Sequence, residues 1–448
     1  MRGAFITAAM VLALAACGQS GDGAPPLSRD ELLDPAACQS CHPDHYQQWL
    51  GSSHAYAADD PIFLAMNARF QSDTAGAYPS DCVRCHAPVA LAEGATTDGL
   101  DLGDAPASLR GVTCFACHVV DSASPDTHTF TLADDGVLRG GIDDPKPTGA
   151  HDSIYSKMLD REEWRSTDMC GACHEFDTRA GVHAHRTHTE WLGSLFADTF
   201  SRSFLSCAGC HMAGSNEPIA TGEFPVRRFH DHSFPGVNVA TQDWPEKEAQ
   251  QQQIQEELSQ SILARICLSA QTKPQVILDN LLAGHMFPSG DAATRRMWVE
   301  LTAYQGDQVV YRSGVIDDST PVTSASRSDP DLWVLRDRLV DGSGDEVPFP
   351  WLASDVSSEL LPPAVTSDPS DPRYYHSVTH DYPALGFTPD RMTLAVHMRP
   401  IALDLIDNLI AGGELDASVR AQIPTFTLDG TAIEWSGTPG QCEPPLNP

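Results

Sequence analysis

Cysteine pairs with a histidine directly behind them punctuate the first half of the chain. The pattern Cys-x-x-Cys-His occurs five times: CQSCH (38–42), CVRCH (82–86), CFACH (114–118), CGACH (170–174) and CAGCH (207–211). At the Cys and His frequencies of this chain, roughly 0.01–0.02 such motifs would arise by chance. The spacing has a chemical reason. Two thiols about one helical turn apart can each form a thioether with a haem vinyl group, and the histidine that follows then lies under the iron and coordinates it. Zinc is the rival, but it wants four tetrahedral ligands from paired Cys-x-x-Cys units without a fixed adjacent His. The motifs therefore predict five covalently attached c-type haems. Cys38, Cys41, Cys82, Cys85, Cys114, Cys117, Cys170, Cys173, Cys207 and Cys210 form the thioethers, and His42, His86, His118, His174 and His211 are the proximal iron ligands.

Of the thirteen cysteines, Cys17, Cys267 and Cys442 remain. The last two open and nearly close the second half of the chain. In an oxidising compartment they are expected to pair as a disulfide; the alternative is two buried thiols.

The sixth iron position decides what each haem does. A second His gives a low-potential electron carrier, Met raises the potential, and an empty position can take a substrate. Thirteen histidines lie outside the motifs. His54, His151, His232, His285 and His128 are the candidate distal ligands, the fourth of which would tie the second half of the chain to the first. His230 and the crowded His183, His185 and His188 are weaker candidates. His45, His376, His380 and His397 read as packed or polar residues, and Met212 as packing. One local echo bears on this choice. QQWLGSSHA (47–55) is matched in register by TEWLGSLFA (189–197), with Phe196 where the first copy has His54.

The elements that position these groups fall into two regions. The five motifs fill residues 38–211, so haem supplies much of the buried apolar surface and only short helices with irregular chain are expected there. Residues 245–266 read as a connecting helix, with Pro245 at its start and Ile254, Leu258, Ile262 and Ile266 at spacing four. Beyond it, QVILDNLL, RRMWVELTAYQ, QVVYRSGVI, RMTLAVHM and PTFTLDGTAIEW are short β-rich runs between turns, and ALDLIDNLIAGGEL (402–415) is a helix ending at a Gly pair. The expected class is α+β: a mainly helical and irregular pentahaem domain at 37–244, the helix 245–266, and a β-sandwich-like domain at 267–448.

The chain opens MRGAFITAAMVLALAACGQS. A positive start, a short apolar run and Leu-Ala-Ala-Cys resemble a bacterial lipobox, with 1–16 as signal peptide and Cys17 as the lipidated residue. An ordinary secretory signal cut nearby is the alternative. Residues 17–36, rich in Gly, Pro, Ser and Asp, read as a flexible tether. Haem attachment to such motifs in bacteria is extracytoplasmic, which agrees. Gly18 after the lipid cysteine favours the outer membrane over the inner; which face is left open. With 61 Asp plus Glu against 28 Lys plus Arg, the chain carries a formal charge of −33. That excludes nucleic acid and anionic headgroups as partners and suits a basic redox protein, although acidity can also serve solubility alone.

W-x-x-S-x-HA, GVTCFACH, AHDSIYS, EWLGS and HSFPG, together with the motif set, resemble the multihaem c-type cytochromes related to the tetrahaem cytochrome c and hydroxylamine oxidoreductase group. The resemblance covers 38–235. The N-x-x-x-GH-x-x-P-x-G…R-x-W run (280–298) resembles the β domain often appended to such cytochromes. It implies closely packed haem pairs, mostly with two His ligands, that pass electrons between a redox donor and acceptor. The fifth motif and Phe196 depart from the tetrahaem pattern. An oxidoreductase acting on a small nitrogen or sulfur compound at one open haem is the alternative. The Cys-x-x-Cys-Lys motif of some such relatives is absent from this sequence. A third reading is a module whose β domain senses a ligand. Self-association, with a ligand given in trans, fits the missing histidine equally.

Overall fold

The computed structural model describes residues 26–146, 148–221 and 226–444. The signal peptide 1–16 and Cys17 lie outside the described residues.

The chain is already folded inside the stretch expected to be a tether. Ser28 caps the turn Arg29–Leu32 through a capping box with Glu31, and Leu32 and Leu33 are buried. Arg29 reaches Glu93 and Asp134. The signal was legible: Ser-x-x-Glu before two leucines satisfies the orphan amides of a helix start and gives it an apolar face to dock. Overall composition masked it.

The motif region is built from short helices: four motifs lie within Ser80–His86, Cys114–His118, Arg165–His174 and Cys207–His211, and motif 38–42 bridges the end of Ala36–Gln39 and the start of Pro43–Leu50. Small two-stranded ladders connect them. Its core is a modest cluster around Leu33, Phe63, Val83, Leu102, Phe115 and Val119.

The chain as a whole is α+β as expected, and the second region carries its two largest sheets. Four strands order as Val378–Asp381, Pro274–Asp279, Leu263–Leu268 and Cys442–Glu443. A six-stranded sheet runs Gln308–Ser313, Arg296–Gln305, Arg391–Arg399 and Phe426–Thr427, with Val334–Leu335 and Ile433–Trp435 beside it. The inward side chains of both sheets meet in one cluster. Ile266, Leu268, Val276 and Leu278 come from the first sheet; Met297, Val299, Leu301, Met392, Leu394, Val396 and Met398 come from the second. Period-two burial on 391–399 and 274–279 is what a sandwich strand requires. Cys267 and Cys442 sit opposite each other in the ladder and are joined by a disulfide.

The connecting helix is shorter than the spacing-four pattern suggests. It spans Lys247–Ser261, and the chain turns extended at Ile262. Ile254 and Leu258 face inward from the helix, but Ile266 does so from strand Leu263–Leu268. The Gln- and Glu-rich run favours helix and stops at Ser261. The apolar run beyond it gains more by pairing with 274–279.

The two regions share a second core. Helix Leu403–Gly412, closed by Gly413 at φ 86°, packs Leu403, Ile406 and Leu409 against Ile62 and Ala65 of helix Pro61–Asp73. Trp351 Nε1 donates to Asp73 at 2.9 Å. The β-rich region thus braces the helix whose other side carries Phe63.

Candidate haem centres

The short motif helices start at hydroxyl caps where the sequence offers one. Thr113 accepts from the Ala116 amide and Ser206 from the Gly209 amide. Such a cap holds the helix start one residue before the first cysteine.

The motif histidines are then oriented through Nδ1. His42 donates to the Ile219 carbonyl at 2.6 Å, His118 to Arg139 at 2.7 Å, His211 to Pro235 at 2.9 Å and His86 to Ala57 at 3.2 Å. A histidine whose Nδ1 is bonded this way presents Nε2 as its free coordinating nitrogen. Burial depresses the pKa of His42 and His118, and takes His86 to about 4 and His174 to about 3, and so keeps these four rings in the neutral form that binds metal.

Four motif histidines face a second histidine. The ring centroids are 6.4 Å apart for His42 and His151, 6.1 Å for His174 and His54, 6.3 Å for His118 and His232, and 6.4 Å for His211 and His285. An iron about 2 Å from a ring nitrogen on each side needs a centroid gap of about 6 Å. The second histidines are also held at Nδ1: His151 by the Ser153 hydroxyl at 3.0 Å, His232 by the His230 carbonyl at 2.6 Å, and His285 by the Met286 carbonyl at 2.7 Å. These residues fit a haem between each pair.

The fifth motif histidine is different. His86 stacks flat on Phe63, centroids 3.9 Å apart and planes 5° apart, and no ring pair joins it to another histidine among the described residues. His128, the remaining candidate, makes no ring pair with a motif histidine among the described residues. Its backbone is left-handed, closing the turn Pro125–Thr127, and Nε2 points to Asp177 at 3.6 Å. The other histidines find polar or packed partners: His183 with Asp177, His185 with Asp291, His376 with Asp279 and His397 with Glu300. His188 packs on Trp191 and His380 stacks on Trp333. His45 lies edge-on between the rings of His42 and His232, at 5.8 and 4.7 Å. Nothing in its sequence context marked that position.

Thiols of different motifs meet in pairs: Cys38 with Cys114, Cys85 with Cys173, and Cys170 with Cys207. Cys117 is within electrostatic reach of Cys170 and Cys173. The motifs are therefore not strung in chain order. Motif 170–174 touches motifs 82–86 and 207–211 and neighbours 114–118, which in turn touches 38–42.

The Trp-Leu-Gly-Ser echo is structural. Trp49 Nε1 donates to the Val112 carbonyl at 2.8 Å and Trp191 Nε1 to the Leu205 carbonyl at 3.0 Å. Each acceptor lies two residues before a motif. Ser52 and Ser194 both cap the following turn. In both copies the first cysteine of one motif meets the first cysteine of the next paired motif. His54 faces His174, whereas Phe196 packs toward Gly284, beside His285.

Gly171 inside CGACH has no room for a methyl group. A Cβ there would lie 2.8 Å from the His188 ring and from Pro125. Gly209 inside CAGCH would meet only ordinary contacts, at 3.4 Å and beyond. Gly171→Ala is expected to cost about 1–3 kcal/mol in a thermal or denaturant melt of the holoprotein, and Gly209→Ala to be neutral or stabilising.

Comparison with known proteins agrees with the class. The family model described as cytochrome c554 and c-prime matches residues 37–119. The fold resembles the crystal structure of a penta-heme cytochrome c552 from Thermochromatium tepidum, with a TM-score of 0.61 and 22% identity, covering 90% of this chain and 98% of that one. No curated protein matches. The attachment motifs and the fold are those of a multihaem c-type cytochrome.

Proposed function

We propose that this chain is an extracytoplasmic pentahaem cytochrome that relays electrons between redox proteins. The observation that carries this reading is the set of four histidine pairs at 6.1–6.4 Å. In this reading His54, His151, His232 and His285 are the second axial ligands of motifs 170–174, 38–42, 114–118 and 207–211. The haem supplies a one-electron couple. The chain supplies spacing, burial and ligand choice, and two neutral histidines favour a low potential. Close motif contacts support fast transfer, and the branch at motif 170–174 gives the relay three ends. The lipobox-like start supports attachment by Cys17 to the outer membrane. No helix among the described residues is long and apolar enough to cross a bilayer. The acidic composition supports a basic donor or acceptor.

The test is a spectroelectrochemical titration of the purified holoprotein combined with stopped-flow oxidation. The relay reading expects several overlapping one-electron waves at low potential and reoxidation by a basic redox protein that slows as salt rises. Turnover of nitrite, hydroxylamine or tetrathionate, with no such salt dependence, would favour the second reading. That reading is an oxidoreductase working at the haem of motif 82–86. The stacking of His86 on Phe63, with no histidine ring paired to it among the described residues, is the observation in its favour.

A further inference from the structure

We propose that Glu190 is a positioning residue for His285, holding the axial ligand of motif 207–211 across the boundary between the haem-motif and β regions. This rests on the reading of His285 as a ligand. Glu190 precedes Trp191 on helix Thr187–Leu192, and its side chain is 6% exposed. One carboxylate oxygen accepts the Ser289 hydroxyl at 2.5 Å, and the Met286 backbone amide lies beside the carboxylate. Met286 is the residue whose carbonyl accepts His285 Nδ1–H. Glu190 therefore braces the backbone on both sides of the carbonyl that holds the ring, at the Met286 amide before it and at Ser289 after it. Thr187 adds a second hold, with its hydroxyl 2.9 Å from that of Ser289 and accepting the Gly290 amide at 3.1 Å. The other carboxylate oxygen faces Arg186 at 3.2 Å, which also pairs with the buried Asp337 at 2.8 Å.

The opposite side of the loop is held by the β region. Asn280 donates to the His285 carbonyl at 2.7 Å. Gly284, at φ +72°, leaves room for Phe196. The loop is thus clamped from two regions, and the clamp on the motif side stands in the second Trp-Leu-Gly-Ser copy. The histidine that this copy lacks at Phe196 is supplied by the neighbouring loop, and Glu190 is the group that seats it.

A residue that merely glued the regions together would change stability alone. The backbone bond from Leu195 to Ala364 at 2.8 Å and the shared core around Ile406 hold the regions without Glu190. The experiment compares holoprotein variants Glu190→Ala, Glu190→Gln and His285→Ala by electron paramagnetic resonance and by spectroelectrochemistry. His285→Ala is expected to turn one low-spin haem high-spin. Glu190→Ala is expected to populate the same high-spin signal and to add nothing in the double variant. Glu190→Gln keeps an acceptor of the same shape and is expected to restore the low-spin count while shifting one midpoint potential. Should Glu190→Ala fail to accumulate, Ser289→Ala removes one donor without disturbing the carboxylate, and a shift in one midpoint is expected. A folded Glu190→Ala, or Ser289→Ala where that stands in, with unchanged spin count and midpoints overturns the proposal. An unchanged spin count in His285→Ala overturns the ligand reading and the proposal with it.

Discussion

The oxidised holoprotein is expected to show four low-spin haems and one high-spin haem, and to bind one equivalent of cyanide or carbon monoxide. The high-spin centre is assigned to motif 82–86, where His86 stacks on Phe63 and no histidine ring pairs with it among the described residues, although His185 lies within electrostatic reach. His54→Ala is expected to raise the count to two high-spin haems and two equivalents of ligand. His128→Ala should change neither number, since His128 faces Asp177. The low-spin centres should also differ among themselves. The His54 and His174 rings are 79° apart, whereas His118 with His232 and His211 with His285 are 13° and 8° apart. Parallel imidazoles act on the same iron d orbital and split its partner away, giving a rhombic signal; perpendicular rings leave the pair nearly degenerate and give a strongly anisotropic one. The anisotropic signal should vanish in His54→Ala. Five low-spin haems with no binding of added ligand would show that another group fills the sixth position at motif 82–86, and would end the oxidoreductase reading.

The largest effect on stability is expected from the disulfide. Cys267 and Cys442 are 175 residues apart in sequence. Closing so long a loop removes denatured-state entropy worth about 5 kcal/mol in the chain-entropy model, which is an upper figure. Cys267→Ser, read by denaturant unfolding against the native chain, is expected to lose most of the stability of the β sandwich. Native domains stand on margins of about 5–15 kcal/mol, so the loss decides whether the region stays folded at growth temperature. The haem centres on the motif side should survive, because their thioethers hold them. The exception is motif 207–211, which should turn high-spin as the sandwich opens, since His285 comes from that side. Unfolding with all haem signals intact would contradict the placement of His285 as a ligand.

The disulfide and the haem-attachment residues show how far local chemistry reaches. Thiol spacing is a local property, so all five motifs were readable from their own five residues. The β strands were readable for the same reason: alternation on 274–279 and 391–399 is carried by neighbours in sequence. The end of the connecting helix was not readable, because Ile262 and Ile266 continue a helical stripe and only the pairing of Leu263–Leu268 with 274–279 pulls the chain out of the helix at Ile262. The capping box at Ser28 was readable and was obscured by the composition around it.

The second histidines mark where sequence stopped. Its abundance of histidines allowed many pairings. The fold decides which rings meet: His54 faces a motif histidine some 120 residues later, and motif 170–174 stands at a branch. It also leaves His86 without a histidine partner among the described residues and places His285 through Glu190 and Ser289. The attachment motifs and the α+β class were legible in the residues themselves, because both depend on neighbours a turn or a strand apart. Which histidine faces which motif came from the fold, because that depends on side chains brought within about 6 Å from distant parts of the chain, a distance no local pattern encodes.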